Sequence, residues 1–126
     1  MVKLAMVAAG GALGAALRFL AVTAFTRALP GFPWGTLFVN VVGSFAMGLL
    51  AVVVMERMPG AWGRMAPFLL TGVLGGFTTF SAFSLDALFL IERGRMAAAA
   101  GYVAGSVMLS VGALWVGLML ARRVLA

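Results

Sequence analysis

The side chains able to do chemistry in this chain are few, and they stand inside apolar sequence at helical spacings. Thr36 and Asn40 are four residues apart, and Tyr102, Ser106 and Ser110 repeat that interval twice. Between them the stretch GGFTTFSAFS, residues 75 to 84, holds Gly75, Thr78, Phe80, Ser81 and Phe83. Arg18 and Asp86 are the charges embedded in apolar surroundings. Cysteine and histidine are absent, which removes disulfides, thiol chemistry, imidazole catalysis and the usual transition-metal sites. No phosphate-binding loop, zinc spacing or nucleophile motif occurs, and the run GGALGAALR lacks the strand a dinucleotide fingerprint requires. An enzyme is therefore not expected.

Neutral donors arranged in stripes can do something else. Residues four apart share one helical face, so Thr36 and Asn40 present a hydroxyl and an amide together, and Tyr102, Ser106 and Ser110 form a polar stripe. Asn40 either donates to a ligand or joins two helices by a hydrogen bond. Phe80 and Phe83 are three apart, on one face, with Ser81 and Ser84 turned to neighbouring ones. Phenylalanine is ordinarily core, but its ring edge is electropositive and can meet an anion without a charge that would trap it. A line of donors without fixed charge suits a small, strongly hydrated anion that must be partly desolvated and then released.

The backbone around these residues carries its own signal. The third apolar segment runs to about 27 residues, roughly 40 Å as a straight helix against about 30 Å of hydrocarbon. Glycine pairs and threonine hydroxyls loosen a helix, so GG followed by TT is where it should shorten or break. Broken backbone in a bilayer must be buried in protein or line a wet cavity. Freed carbonyls in such breaks hold cations, and helix N-termini face anions, so either a small cation site or an anion path is expected here. Arg18, deep in the first segment, must face a cavity or a partner, or else snorkel or cap a carbonyl. Asp86 either pairs with it or sits in a vestibule.

The elements that position these groups are membrane spans. With 126 residues, 64% of them hydrophobic and 10% charged, and a mean hydropathy of +1.17, the chain reads as an all-α integral membrane protein. A window of about 19 residues gives four segments, 4 to 29, 34 to 55, 65 to 91 and 97 to 121. The first is long enough to span and is expected to be retained rather than cleaved as a signal peptide. Breaks fall at LPGFP (29 to 33), ERMPGAWGR (56 to 64) and ERGR (92 to 95), so residues 1–126 form a single four-helix transmembrane domain. Trp34, Trp62 and Trp115 fall at or near segment ends.

The net charge of +6 comes from bases scattered between apolar segments, a topology pattern rather than a nucleic-acid surface. One side carries Lys3, Arg57, Arg64, Arg122 and Arg123, the other Arg27, Arg93 and Arg95. So weak a bias is compatible with insertion in both orientations, and the simplest closed assembly is then an antiparallel homodimer with its two-fold axis in the membrane plane. Gly10 and Gly14, Gly72 and Gly76, and Gly101 and Gly105 form GxxxG pairs suited to close helix contact.

Three blocks in order, GGALGAALRF (10 to 19), PWGTLFVNVVGSF (33 to 45) and GGFTTFSAFSLD (75 to 86), identify a likeness covering nearly the whole chain. The sequence resembles the bacterial fluoride channels of the Fluc/CrcB family. That resemblance implies an antiparallel, dual-topology homodimer with two fluoride pores and a structural Na+ at its centre, held by main-chain carbonyls at Gly75 and Thr78 of both copies. It implies pore roles for Phe80, Phe83 and Asn40, and a polar track of Thr36, Ser81, Tyr102, Ser106 and Ser110. Arg18 matches the family's first-span arginine, a vestibule or structural charge. The chain departs from the family's usual pattern with Ala82 in place of Thr and Asp86 in place of Glu, a shorter acid. The implied role is passive export of cytoplasmic fluoride across a bacterial plasma or inner membrane, conferring fluoride resistance. The competing classes are a small dual-topology proton-coupled exporter, which would want an acid where Arg18 stands, and an accessory packing subunit without transport.

Overall fold

A computed structural model describes residues 1–58 and 60–126. Among them are four helices long and apolar enough to cross a membrane, Val2–Ala28, Trp34–Arg57, Pro67–Glu92 and Met96–Val124, and no strand. The chain is thus all-helical, and the four expected segments fall on these helices within a few residues. Pro59, inside the second expected break, lies outside the described residues.

In chain order, α1 (Val2–Ala28) is uninterrupted, and α2 (Trp34–Ala51) runs into a π-helical segment (Val52–Arg57). A single turn, α3 (Ala61–Arg64), precedes a second π-helical segment (Pro67–Leu74), which leads into α4 (Gly75–Phe77), α5 (Phe80–Glu92) and α6 (Met96–Val124). Alanine and leucine, good helix formers, fill α1 and α6. Pro67 opens its segment, where a fixed φ and a missing N–H cost nothing. The wider winding shows at Met58, whose N–H reaches back five residues to the Val53 carbonyl at 2.8 Å. Both short connections turn on a glycine in the left-handed region, Gly31 at φ 97° and Gly94 at φ 74°. Arg95 ties them together by donating from Nη1 to the Gly31 carbonyl.

Helices in lipid gain little from burying apolar surface against each other, so close approach at small residues decides which ones pair. A methyl on Gly10 would collide with the Phe68 carbonyl, and one on Gly76 would sit 2.6 Å from the Gly11 carbonyl oxygen. The pairs Gly10/Gly14 and Gly72/Gly76 therefore face each other, and α1 runs parallel to the third span. The third GxxxG pair behaves differently: a methyl on Gly101 or Gly105 would meet nothing within 4 Å, so it packs nothing inside this chain. Another pair, Gly48 against Leu114 and Gly117 against Phe45, brings α2 onto α6, also parallel. Trp34 starts α2 and Trp62 lies in α3, whereas Trp115 sits well inside α6 with its side chain exposed.

Candidate functional site

The helical path of the third span is interrupted at two threonines. Thr78 (φ −85°, ψ 158°) and Thr79 (φ −154°, ψ 125°) are extended. In a continuous helix the Thr79 N–H would bond to the Gly75 carbonyl, and the Ala82 N–H to the Thr78 carbonyl. Both donors are diverted to side chains. The Thr79 N–H donates to Asn40 Oδ1 at 2.7 Å, and the Ala82 N–H donates to Thr79 Oγ1 at 3.2 Å as an N-cap of α5. Asn40 returns the contact by donating from Nδ2 to the Thr79 carbonyl at 2.9 Å. Thr78 Oγ1 donates to the Leu74 carbonyl at 2.9 Å, and Ser81 Oγ lies 3.4 Å from Thr79 Oγ1. Gly75 and Thr78 are thereby left with carbonyls stripped of their helical donors.

The parallel packing of α2 on α6 has a register, fixed at one end by Arg122, which grips Glu56 across 66 residues of sequence. Thr36, Asn40 and Ser44 stand at that same separation from Tyr102, Ser106 and Ser110. Two polar stripes therefore run side by side. A cavity of about 300 Å³ opens between them and the Thr78–Thr79 bend, lined by Asn40, Ser44, Thr78, Thr79, Phe80, Phe83, Ser106 and Ser110 among others, and none of its lining residues is charged. Ser106 Oγ and Ser110 Oγ are buried on its wall with no hydrogen-bond partner among the described residues. A buried hydroxyl without a partner costs on the order of 1–3 kcal/mol, so these two oxygens call for something to fill the cavity.

The aromatic residues frame that space. Phe80 is 79% exposed, and its ring centroid lies 5.6 Å from that of Phe83 at a tilt of 54°. Phe83 packs in turn on Tyr102 at 5.3 Å, and Phe32 meets Tyr102 edge-on at 5.5 Å. Tyr102, fully buried, donates its hydroxyl to Asp86 Oδ2 at 3.1 Å, so the shorter acid still reaches it. Thr36 is buried level with Tyr102.

Arg18 and Asp86 are not brought together. Arg18 lines a second cavity of about 450 Å³ with Thr23, Thr26, Arg27, Thr36 and Thr79. Asp86 lines a third of about 220 Å³ with Thr26, Phe32 and Arg93. Thr79 borders both the first and the second, so the Asn40 clamp stands between a neutral compartment and one holding two arginines. Sequence reasoning missed Ser44, although it continues the four-residue interval from Thr36 and Asn40, and it missed Thr79 as the residue that Asn40 holds.

The family model described as CrcB-like protein, Camphor Resistance (CrcB), matches residues 5–118. A protein of Chelativorans sp. (strain BNC1) named fluoride-specific ion channel FluC is 56% identical over 126 residues, covering 99% of this chain and all of the relative. Proteins of the same name from Rhizobium meliloti (strain 1021) and Agrobacterium fabrum are 55% and 50% identical, covering 93% and 98% of this chain and 94% and 98% of their own lengths.

Proposed function

Because the chain belongs to the CrcB-like family, we propose that it is a fluoride channel, a multi-pass protein of the bacterial cell membrane and not an enzyme. The relatives' name supplies the ion, and the observation that carries the reading to this chain is the pair of buried, unpartnered hydroxyls of Ser106 and Ser110 on an uncharged cavity. Such oxygens donate to a small anion and replace part of its water without a cation that would hold it. Phe80 and Phe83 line the same space, where the electropositive edge of an aromatic ring suits an anion, and Ser81, Thr36 and Tyr102 extend the polar track beside it. Arg18 and Arg27 raise the local concentration of anions at the approach. Membrane potential, negative inside, drives the ion outward, so no coupled chemistry is needed.

The finer architecture belongs to the same proposal. Two copies in opposite orientations form an antiparallel homodimer with a pore in each half, and the third span is broken at Thr78–Thr79. The Gly75 and Thr78 carbonyls, from which Asn40 and Thr79 have drawn the helical donors, fit a small hard cation, which takes oxygen ligands. Two copies would present four such oxygens to a structural Na+. That ion would supply positive charge at the centre of the assembly, while Asn40 holds the bend in shape from its own chain.

Fluoride efflux from liposomes containing the purified protein, read with a fluoride electrode beside a chloride control, tests the function. Rapid loss of fluoride with chloride retained is the expected result. Fluoride held inside liposomes with demonstrated insertion would refute it.

A further inference from the structure

The two ends of the bundle handle their basic residues differently. At the end formed by the first-to-second and third-to-fourth connections, Arg95 is spent on the Gly31 carbonyl, and the Arg93 guanidinium lies 5.9 Å from the Phe89 ring centre. At the opposite end five bases meet one acid, Glu56, and Arg122 takes both its carboxylate oxygens, at 2.7 and 3.2 Å. Lys3, Arg57, Arg64 and Arg123 are exposed there and have no ion-pair or hydrogen-bond partner among the described residues. All four belong to the same end of the bundle: α1 packs parallel on the third span, so Lys3 lies at the end where that span begins, and the Glu56–Arg122 pair holds the end of α6 against the segment that carries Arg57.

Interleaved with these bases are large apolar side chains, Met55, Met58, Trp62 and Met65, between 38% and 69% exposed. They sit at or beside the ends of the spans, and an indole and a basic chain with a long stem are both at home where a span end meets lipid headgroups. Whatever covers this surface must offer negative charge beside hydrocarbon.

We propose that this end of the protein is a binding surface for anionic phospholipids, with Arg57 and Arg64 engaging the headgroup phosphates and Trp62 and its neighbouring methionines lying against the acyl chains. The Glu56–Arg122 pair has a part in it, because Glu56 gives both carboxylate oxygens to Arg122 and forms no ion pair with the other bases among the described residues. The inference depends on the sidedness of the charges and stands apart from the identity of the transported ion.

The test uses the full-length protein with Trp34→Phe and Trp115→Phe, which leaves Trp62 as its tryptophan. Quenching of Trp62 by brominated phosphatidylglycerol and by brominated phosphatidylcholine in otherwise matched bilayers gives the relative association of the two lipids. An electrostatic gain of about one basic contact predicts a preference for phosphatidylglycerol of roughly fivefold. The preference should fall toward unity in Arg57→Gln/Arg64→Gln and persist in Arg93→Gln/Arg95→Gln. Equal quenching in the parent, or a preference unchanged by Arg57→Gln/Arg64→Gln, would overturn the proposal. Should that double variant fail to insert, the parent at high salt gives the same decision: the preference must shrink as headgroup attraction is screened, and a constant ratio refutes it.

Discussion

The Thr78–Thr79 bend and the serines of α6 face one cavity with the same kinds of atoms, yet the bend has its amides and hydroxyls engaged while the Ser106 and Ser110 hydroxyls have no partner among the described residues. The bend's groups close on Asn40, Leu74 and Ala82, and their function is to hold backbone in an extended conformation that a helix would otherwise erase. The serines, on an unbroken helix whose backbone needs no help, are free to serve a guest. Polar side chains inside a membrane bundle therefore divide by what their neighbours leave unsatisfied, and residue type alone does not tell the two uses apart.

If that division is right, substitutions at the bend cost stability and those on the open wall do not. The largest loss is expected from Asn40→Ala, which strands the N–H and C=O of Thr79, itself 8% exposed. Each stranded group costs about 1–3 kcal/mol, so the thermal unfolding midpoint in detergent should drop sharply and fluoride flux with it. Asn40→Asp should likewise cut flux, since a carboxylate cannot donate to the Thr79 carbonyl. Next in size is Gly43→Ala, whose methyl would strike the Thr78 side chain and lie 3.3 Å from the Phe77 ring. Overpacking of about 1–3 kcal/mol should appear as a lowered midpoint, and an unchanged one would mean that the bend yields more easily than its hydrogen bonds imply. Tyr102→Phe removes the hydroxyl on Asp86 and keeps the ring packing, for a loss of about 1 kcal/mol in the same melt. Smallest of all in stability is Phe80→Ile, at a ring 79% exposed. A change within about 0.5 kcal/mol should accompany a severalfold fall in flux, and undiminished flux would put the ion's path away from this edge.

The sequence made one half of this comparison easier to read than the other. Hydropathy windows and the Pro, Gly and charge at the breaks located all four spans, because those signals are local. The interval of four that joins Tyr102, Ser106 and Ser110 is local too, and so was visible. The facing stripe on α2 is only half legible, in Thr36 and Asn40 and not in Ser44, because the pairing of the stripes depends on Gly48 and Gly117 setting the register of two distant helices. Asn40 remained ambiguous between ligand donor and helix fastener for the same reason, since its partner, Thr79, lies 39 residues away. The π-helical winding of Val52–Arg57 and Pro67–Leu74 carries no residue-type mark at all.

The most direct test joins flux and stability in one variant, Ser106→Ala/Ser110→Ala. Removing two buried hydroxyls without a partner among the described residues should leave the unfolding midpoint level or raise it, while fluoride efflux from liposomes falls at least severalfold. A lowered midpoint would show that these hydroxyls hold the fold together, and full fluoride efflux at an unchanged midpoint would show that the ion passes elsewhere. Either result would contradict the account.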